Sequence, residues 1–481
     1  MEMSSKLIEA GWAETDITPQ GLPALSGQYY HRKAESIHSR LKATALALGS
    51  ETGESAIIVS VDTAAVPRSF QERVRDRAGD LSPDINRENI FLTATHTHSA
   101  PALSSIRVWW LKDESSAGED DDYGDFACER IAQAVVQAWK TRRPGITQSA
   151  SCTAVTGHCR RTLYRDGHSE MYGCASRPDF IGMESGEDST IELLVTYTED
   201  GKPTGLILNA ACPSQIMEST YRISSDYMGR VREGLKDIYG EEFRTLCLVG
   251  AAGCQSPRDL VRMRDSIFWS EQGVEIAGER IVQSVQRAIG KIDSGHGVES
   301  VFLHRKADLR LSRRPVSKLE FEKAENDLAR LSAEHSVEDA FEMFCGEVRK
   351  NEAVPGRPGP YDSKLHPFVL MMNAEAVLKR HREWEKNPGF EMELHSVRIG
   401  NTALVTCPFE LFLDYGHRIK ARSCAARTMI AQLACDHAGY LPTRTAEEHG
   451  GYGALIINGE VGSRGGDELV EASLNAVADL F

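Results

Sequence analysis

Two histidines set two residues apart carry the clearest chemical signal in this chain, within Thr95-His96-Thr97-His98-Ser99-Ala100-Pro101. They follow an apolar run, Ile90-Phe91-Leu92-Thr93-Ala94, that reads as a buried strand. Alternate residues of a strand share a face, so both imidazoles leave the sheet together, and Pro101 stops the ladder. Neutral imidazole suits zinc and similar ions. The same stretch also suits a plain turn whose histidines cap backbone groups.

Other strand ends carry polar residues. The run Leu206–Ala211 leads into Cys212-Pro213-Ser214-Gln215, and Thr245–Val249 into Gly250-Ala251-Ala252-Gly253-Cys254-Gln255-Ser256-Pro257-Arg258. Thr402–Thr406 leads into Cys407-Pro408-Phe409-Glu410, and Met429–Cys435 into His437-Ala438-Gly439-Tyr440. Active sites gather at the ends of sheet strands. Each end alone also suits a turn, and spacing does not say which of them meet.

The elements that must position these residues alternate. Leu41–Leu48, Ala56–Val61 and Ile191–Thr196 read as further strands, rich in β-branched and apolar residues. Phe70–Arg77, Phe126–Arg142, Tyr227–Ile238 and Gly273–Ile289 carry helical spacing, and Pro144-Gly145 is expected to close the second of these. Asp113–Asp122 is acidic and polar and reads as a lid-like loop. The stretch 315–389 is charged and mostly helical in period, interrupted by Pro355-Gly356-Arg357-Pro358-Gly359-Pro360. Strands return at Glu391–Arg398, a helix at Phe412–Arg422, and a last helix at Asp467–Leu480. The pattern is an α/β (α+β) chain, with a mixed β-sheet core flanked by helices and a helical insertion at 315–389.

Bulk properties narrow the function. The 481 residues carry a net charge of −15, which argues against nonspecific binding to nucleic acid or an anionic membrane. No apolar run approaches the roughly 20 residues of a membrane span. The start, Met1-Glu2-Met3-Ser4-Ser5-Lys6, lacks a basic region followed by an apolar one, and the 11 cysteines show no paired spacing. Reduced thiols in a cytoplasmic protein are the expectation.

The motifs together resemble the catalytic domain of the neutral (alkaline, non-lysosomal) ceramidase family. Asp16-Ile17-Thr18-Pro19 matches its N-terminal signature, and Thr95–Pro101 matches its Thr-His-Thr-His-Ser-Gly-Pro with Ala100 for glycine. Ser224-Ser225-Asp226-Tyr227-Met228-Gly229 resembles its Ser-Gly-Asp-Asn-x-Gly, and Gly253–Pro257 its Gly-Asp-x-Ser-Pro, with Cys254 for aspartate. The resemblance runs from about residue 10 to about 455 and implies one catalytic domain over 1–481, without the family's C-terminal immunoglobulin-like domain.

The resemblance implies zinc (Zn2+) held by His96, Glu410 in Pro408-Phe409-Glu410, and Tyr440 in Tyr440-Leu441-Pro442-Thr443. Cys212, in Ala210-Ala211-Cys212-Pro213, stands where the family has a second zinc histidine, and a thiolate can ligate zinc. It further implies a proton-transfer role for His98, a substrate-facing Arg161, and a site tyrosine at Tyr452, twelve residues beyond Tyr440 as in the family. Ser256 is a candidate nucleophile, though no Gly-x-Ser-x-Gly elbow surrounds it. The implied reaction is zinc-assisted hydrolysis of an amide. A small polar N-acylated substrate suits an acidic cytoplasmic chain better than ceramide does. The rivals are a metal-dependent esterase or lactonase, and a binding pseudoenzyme that lost its metal with the histidine.

Overall fold

A computed structural model describes residues 8–28, 32–104, 117–262, 266–292, 301–352, 366–384 and 386–481. Two β-sheets pack face to face and helices cover their outer sides, giving helix, sheet, sheet and helix layers. The larger sheet has eight strands in the order Arg244–Val249, Pro203–Ala210, Thr190–Thr198, Arg143–Thr153, Ile8–Asp16, Lys42–Gly49, Ser55–Val61, Ile90–Ala94. Its two outermost pairs are parallel and the rest antiparallel. The smaller sheet runs Phe302–Ser312, Gly389–Ile399, Thr402–Thr406, Arg427–Ala431.

Residue alternation explains the layering. In Lys42–Gly49 the small residues Ala43, Ala45 and Ala47 face the helices Arg68–Leu81 and Ala117–Lys140, which pack close against them. Leu46 and Leu48 point the other way, onto Val397, Ile399, Leu404 and Met429 of the smaller sheet. Both faces are buried, so these strands read as continuous apolar runs. Fully burying one such leucine contributes about 1.5–3 kcal/mol, which makes the inter-sheet layer a principal source of stability. The helix pair Asp226–Tyr239 and Glu271–Ile289 covers the other half of the larger sheet.

The expected mixed sheet with flanking helices is therefore the observed class. Several local expectations fail. Pro144-Gly145 does not merely close a helix: the strand Arg143–Thr153 starts there, and Ile8 pairs with Gly145 at its outset. Residues 117–122 of the supposed lid belong to the helix Ala117–Lys140, and Asp113–Ser116 lie outside the described residues. The strand expected over Met429–Cys435 ends at Ala431, and the chain bends at Leu433 and Cys435, both with positive φ. Within 315–389 three helices, Lys318–Glu334, Val337–Glu352 and Pro367–Trp384, bridge the antiparallel neighbours Phe302–Ser312 and Gly389–Ile399.

Candidate active site

The segment after Ile90–Ala94 turns sharply. His96 holds φ +62, a conformation few side-chain-bearing residues adopt and one that functional sites often retain. Neighbouring loops fix the turn. Thr97 Oγ1 donates to the Ser224 carbonyl at 2.7 Å, Ser99 Oγ to the Met217 carbonyl at 2.9 Å, and the Ser214 N–H to the Thr95 carbonyl at 3.2 Å. Gly27, at φ +95, lies against the His98 ring, where a Cβ would come within 2.4 Å. Any side chain at Gly27 would displace that imidazole.

Hydrogen bonds assign the tautomers. His96 Nδ1 lies 2.5 Å from the Ala64 carbonyl, which can only accept, so Nδ1 carries a proton, and Nε2 has a lone pair in the neutral ring and a second proton toward Glu410 in the cation. Arg160 donates to Gln215 Oε1 at 3.0 Å, which fixes that amide and leaves its Nε2 donating to His98 Nε2 at 2.9 Å. His98 Nε2 is therefore an acceptor as well, and its Nδ1–H faces Glu218 Oε2 at 3.7 Å. The two Nε2 atoms stand 3.4 Å apart, and Glu410 Oε2 lies 3.4 Å from His96 Nε2. His96 Nε2 thus stands between His98 and Glu410, whose own ligand atoms are more than 4.8 Å apart.

Glu410 and Tyr440 sit side by side in a short parallel ladder, so their side chains share a face. Arg160 reaches both, 3.2 Å from the Tyr440 hydroxyl and 3.5 Å from Glu410 Oε2. The rings of Tyr440 and Tyr452 meet edge to face at 5.5 Å. Burial works to raise the Glu410 carboxyl, but the His96 ring and the Arg160 guanidinium outweigh it and hold the group below its usual range. Burial pushes Tyr440 well above the ordinary tyrosine value, with Glu410 adding to it. Burial drives His98 well down, and the His96 ring and the guanidiniums of Arg32, Arg160 and Arg258 act the same way, so His98 is neutral at pH 7.

Three expected residues lie elsewhere. Cys212 is fully buried in the core under the helices, and its thiol donates to the Thr156 carbonyl at 3.1 Å. Its Sγ does not join His96 and Glu410 within 4.8 Å, and burial pushes the thiol up to about 12, far from a thiolate. Arg161 faces away from the site. It donates to Glu184 through Nε at 2.5 Å and NH2 at 3.1 Å, and to the carbonyls of Tyr452 and Gly450, each at 2.6 Å. Successive residues of a strand point to opposite sides, so Arg160 enters the site and Arg161 clasps the loop behind it. Ser256 Oγ accepts from the Tyr172 hydroxyl at 3.3 Å and the Arg258 N–H at 3.3 Å, with no histidine base among its described partners. Arg160, Gln215 and Glu218 were the functional candidates that sequence reading missed; a strand register around Arg161 would have exposed the first.

Among the described residues one group of three His, Cys, Asp or Glu side chains, Glu393, His395 and Cys435, brings its potential ligand atoms within 4.8 Å of one another. Glu393 is already held by Arg75 at 2.5 and 3.1 Å, by Lys306 at 3.1 Å and by His395 at 2.6 Å. Two cations beside one carboxylate make this a salt-bridge network between the smaller sheet and the helix Arg68–Leu81. Cavities of about 400 Å³, lined by Glu184, Phe412 and Tyr415, and of about 540 Å³, lined by Met372, Leu378 and Ile457, do not reach His96.

The donors around His96 fit a divalent cation. A bare imidazole nitrogen 3.4 Å from a carboxylate oxygen, each an acceptor, is the arrangement a shared cation relieves. The backbone bond on His96 Nδ1 is the usual orienting partner of a ligating histidine. His96, Glu410 and Tyr440 make up that donor set, and Cys212 is not part of it.

No family model matches the chain. Its fold superposes on a neutral ceramidase from Pseudomonas aeruginosa with a TM-score of 0.68 at 18% identity, covering 98% of this chain and 74% of that one. A ceramidase complexed with C2 superposes at 0.69 with 16% identity, over 98% and 75% of the two chains. Neutral ceramidase B of Dictyostelium discoideum is 32% identical over 111 residues, 22% of this chain and 15% of that protein's length. The architecture is thus the α/β fold of these hydrolases. The chain has a neutral ceramidase-like fold, and its sequence similarity to the curated relative spans only a small part of either protein.

Proposed function

We propose that this chain is a zinc-dependent hydrolase that cleaves the N-acyl bond of a small polar substrate. The observation that supports the reading is the approach of His96 Nε2 to Glu410 Oε2 at 3.4 Å, with Tyr440 beside Glu410 on the same ladder. His96, Glu410 and Tyr440 would hold the ion. A bound zinc supplies Lewis acidity, polarising an acyl carbonyl and lowering the pKa of water toward about 7.

The chain's own residues do the rest. His98, neutral and with no hydrogen on Nε2, would take a proton from water there in place of the Gln215 hydrogen bond and return it to the leaving amine. Gln215 keeps that nitrogen free of hydrogen. Arg160 is a fixed donor beside the site, suited to the oxyanion of the tetrahedral intermediate, and one such donor is worth about 10²–10³ in rate. Tyr452, edge to face with Tyr440, closes the other side. Arg161 acts at one remove by holding the Tyr452 carbonyl.

Purified protein loaded with zinc should release amine from N-acetylated amino compounds faster than from ceramide. Esters and lactones in the same panel separate the esterase rival. No turnover of any amide, with less than one metal bound per chain, would overturn the reading in favour of a binding protein. That rival draws on the withdrawal of Cys212 from the site.

A further inference from the structure

We propose that the substrate carries a carboxylate, gripped by Arg258 next to His98 with Arg160 adding positive charge; this rests on the hydrolase reading above. Both guanidiniums are buried, and their NH1 groups share one hydroxyl, each donating to Tyr172 at 3.3 Å. Two like charges so close in a desolvated space repel one another and call for negative charge. Arg258 has one such partner, Glu218, and its other bond runs to the Ile216 carbonyl at 3.1 Å. Arg160 has only the longer contact to Glu410, the carboxylate that a bound cation would claim.

Donors are also left over. Nε of Arg160, Nε of Arg258 and Nδ1 of His98 are buried without hydrogen-bond partners. Native proteins rarely leave buried donors unmet, and several together mark a place for an acceptor. Arg258 is braced by the indole of Trp269, its guanidinium carbon 3.1 Å from the ring centroid. The terminal nitrogens of Arg160 are taken by Gln215, Tyr172, Tyr440 and the Gly253 carbonyl, whereas Arg258 keeps donors on its Nε and NH2 edge, a planar fork that matches the two oxygens of a carboxylate.

The grip lies beside the reacting groups. Glu218 links Arg258 to His98 Nδ1, and Gln215 links Arg160 to His98 Nε2. In an N-acyl α-amino acid the carboxylate is two bonds from the amide nitrogen, so one molecule can meet both. Hydrolysis then balances simply: water's oxygen bonds to the acyl carbon, the C–N bond breaks, and the amine leaves with a proton, giving a carboxylate and a free amino acid.

Calorimetry tests this without turnover, using N-acetylglycine, its neutral amide N-acetylglycinamide, and inorganic phosphate. N-acetylglycine should bind at least tenfold tighter than the amide. Arg258→Gln should remove that preference, and Glu218→Gln, which releases Arg258 from its partner, should strengthen N-acetylglycine binding severalfold. Opposite effects of two buried substitutions do not arise from loss of folding. Equal binding of acid and amide, weaker binding in Glu218→Gln, or phosphate matching N-acetylglycine would each overturn the carboxylate assignment. Selective binding without amine release would uphold the grip and sink the hydrolase. Amine release with no preference for the acid would do the reverse.

Discussion

Gln215 donates through Nε2 to His98 Nε2 at 2.9 Å, and its own orientation is set by Arg160 on Oε1. One amide therefore decides which nitrogen of His98 carries hydrogen. Gln215→Glu replaces the donor with an acceptor and should move the proton to Nε2. Turnover should fall about 10²-fold or more, in line with loss of a general base. Nitrogen-15 NMR of the imidazole checks the cause directly: the parent protein should show hydrogen on Nδ1 and the variant on Nε2.

Metal retention should depend on His96 and Glu410 and be indifferent to Cys212. Elemental analysis after dialysis against dilute zinc should give about one ion per chain for the parent and for Cys212→Ser, and far less for His96→Ala and Glu410→Ala. Loss of metal in Cys212→Ser would return the thiol to the ligand set, against its bond to Thr156.

The Arg161–Glu184 pair should be a stability element. Both side chains are almost fully buried, at 0% and 5% exposure, and Ser169 and His449 also donate to the same carboxylate. Arg161→Ala strands that charge and should cost about 3–5 kcal/mol in denaturant unfolding. Arg161→Lys should recover only part, because an ammonium cannot reproduce the two-pronged contact.

Acid should weaken the packing of the two sheets through His304. Burial, helped by the neighbouring His395, whose Nδ1 lies 2.8 Å from His304 Nε2, lowers it to about 3. The unfolded histidine titrates near 6.5, so between about pH 6.5 and 3 the unfolded chain binds the extra proton. Its contribution is complete above 6.5 and is lost on acidification, at up to about 1.4 kcal/mol per pH unit. His304→Gln should flatten the fall in unfolding free energy measured from pH 7 to 5.

Much of the site's composition is legible in order along the chain. The apolar run before His96 and the polar ends after Val249 and Thr406 reflect local pattern, the Tyr440–Tyr452 interval comes from the family resemblance, and the structure sets His96 beside His98 and Glu410, and Tyr440 beside Glu410 and Tyr452. The strand Phe302–Ser312 escaped notice because its exposed, charged face breaks the apolar signal.

By itself the sequence determined which residues end strands and which strands are buried on both faces, because periodicity and residue size act over a few neighbours. Only the tertiary structure decided which of two adjacent arginines enters the site, that Cys212 turns into the core, and that Gln215, Glu218 and Arg258 surround His98. Those outcomes depend on strand register and on contacts between segments far apart in the chain, where a shift of one residue reverses every side chain.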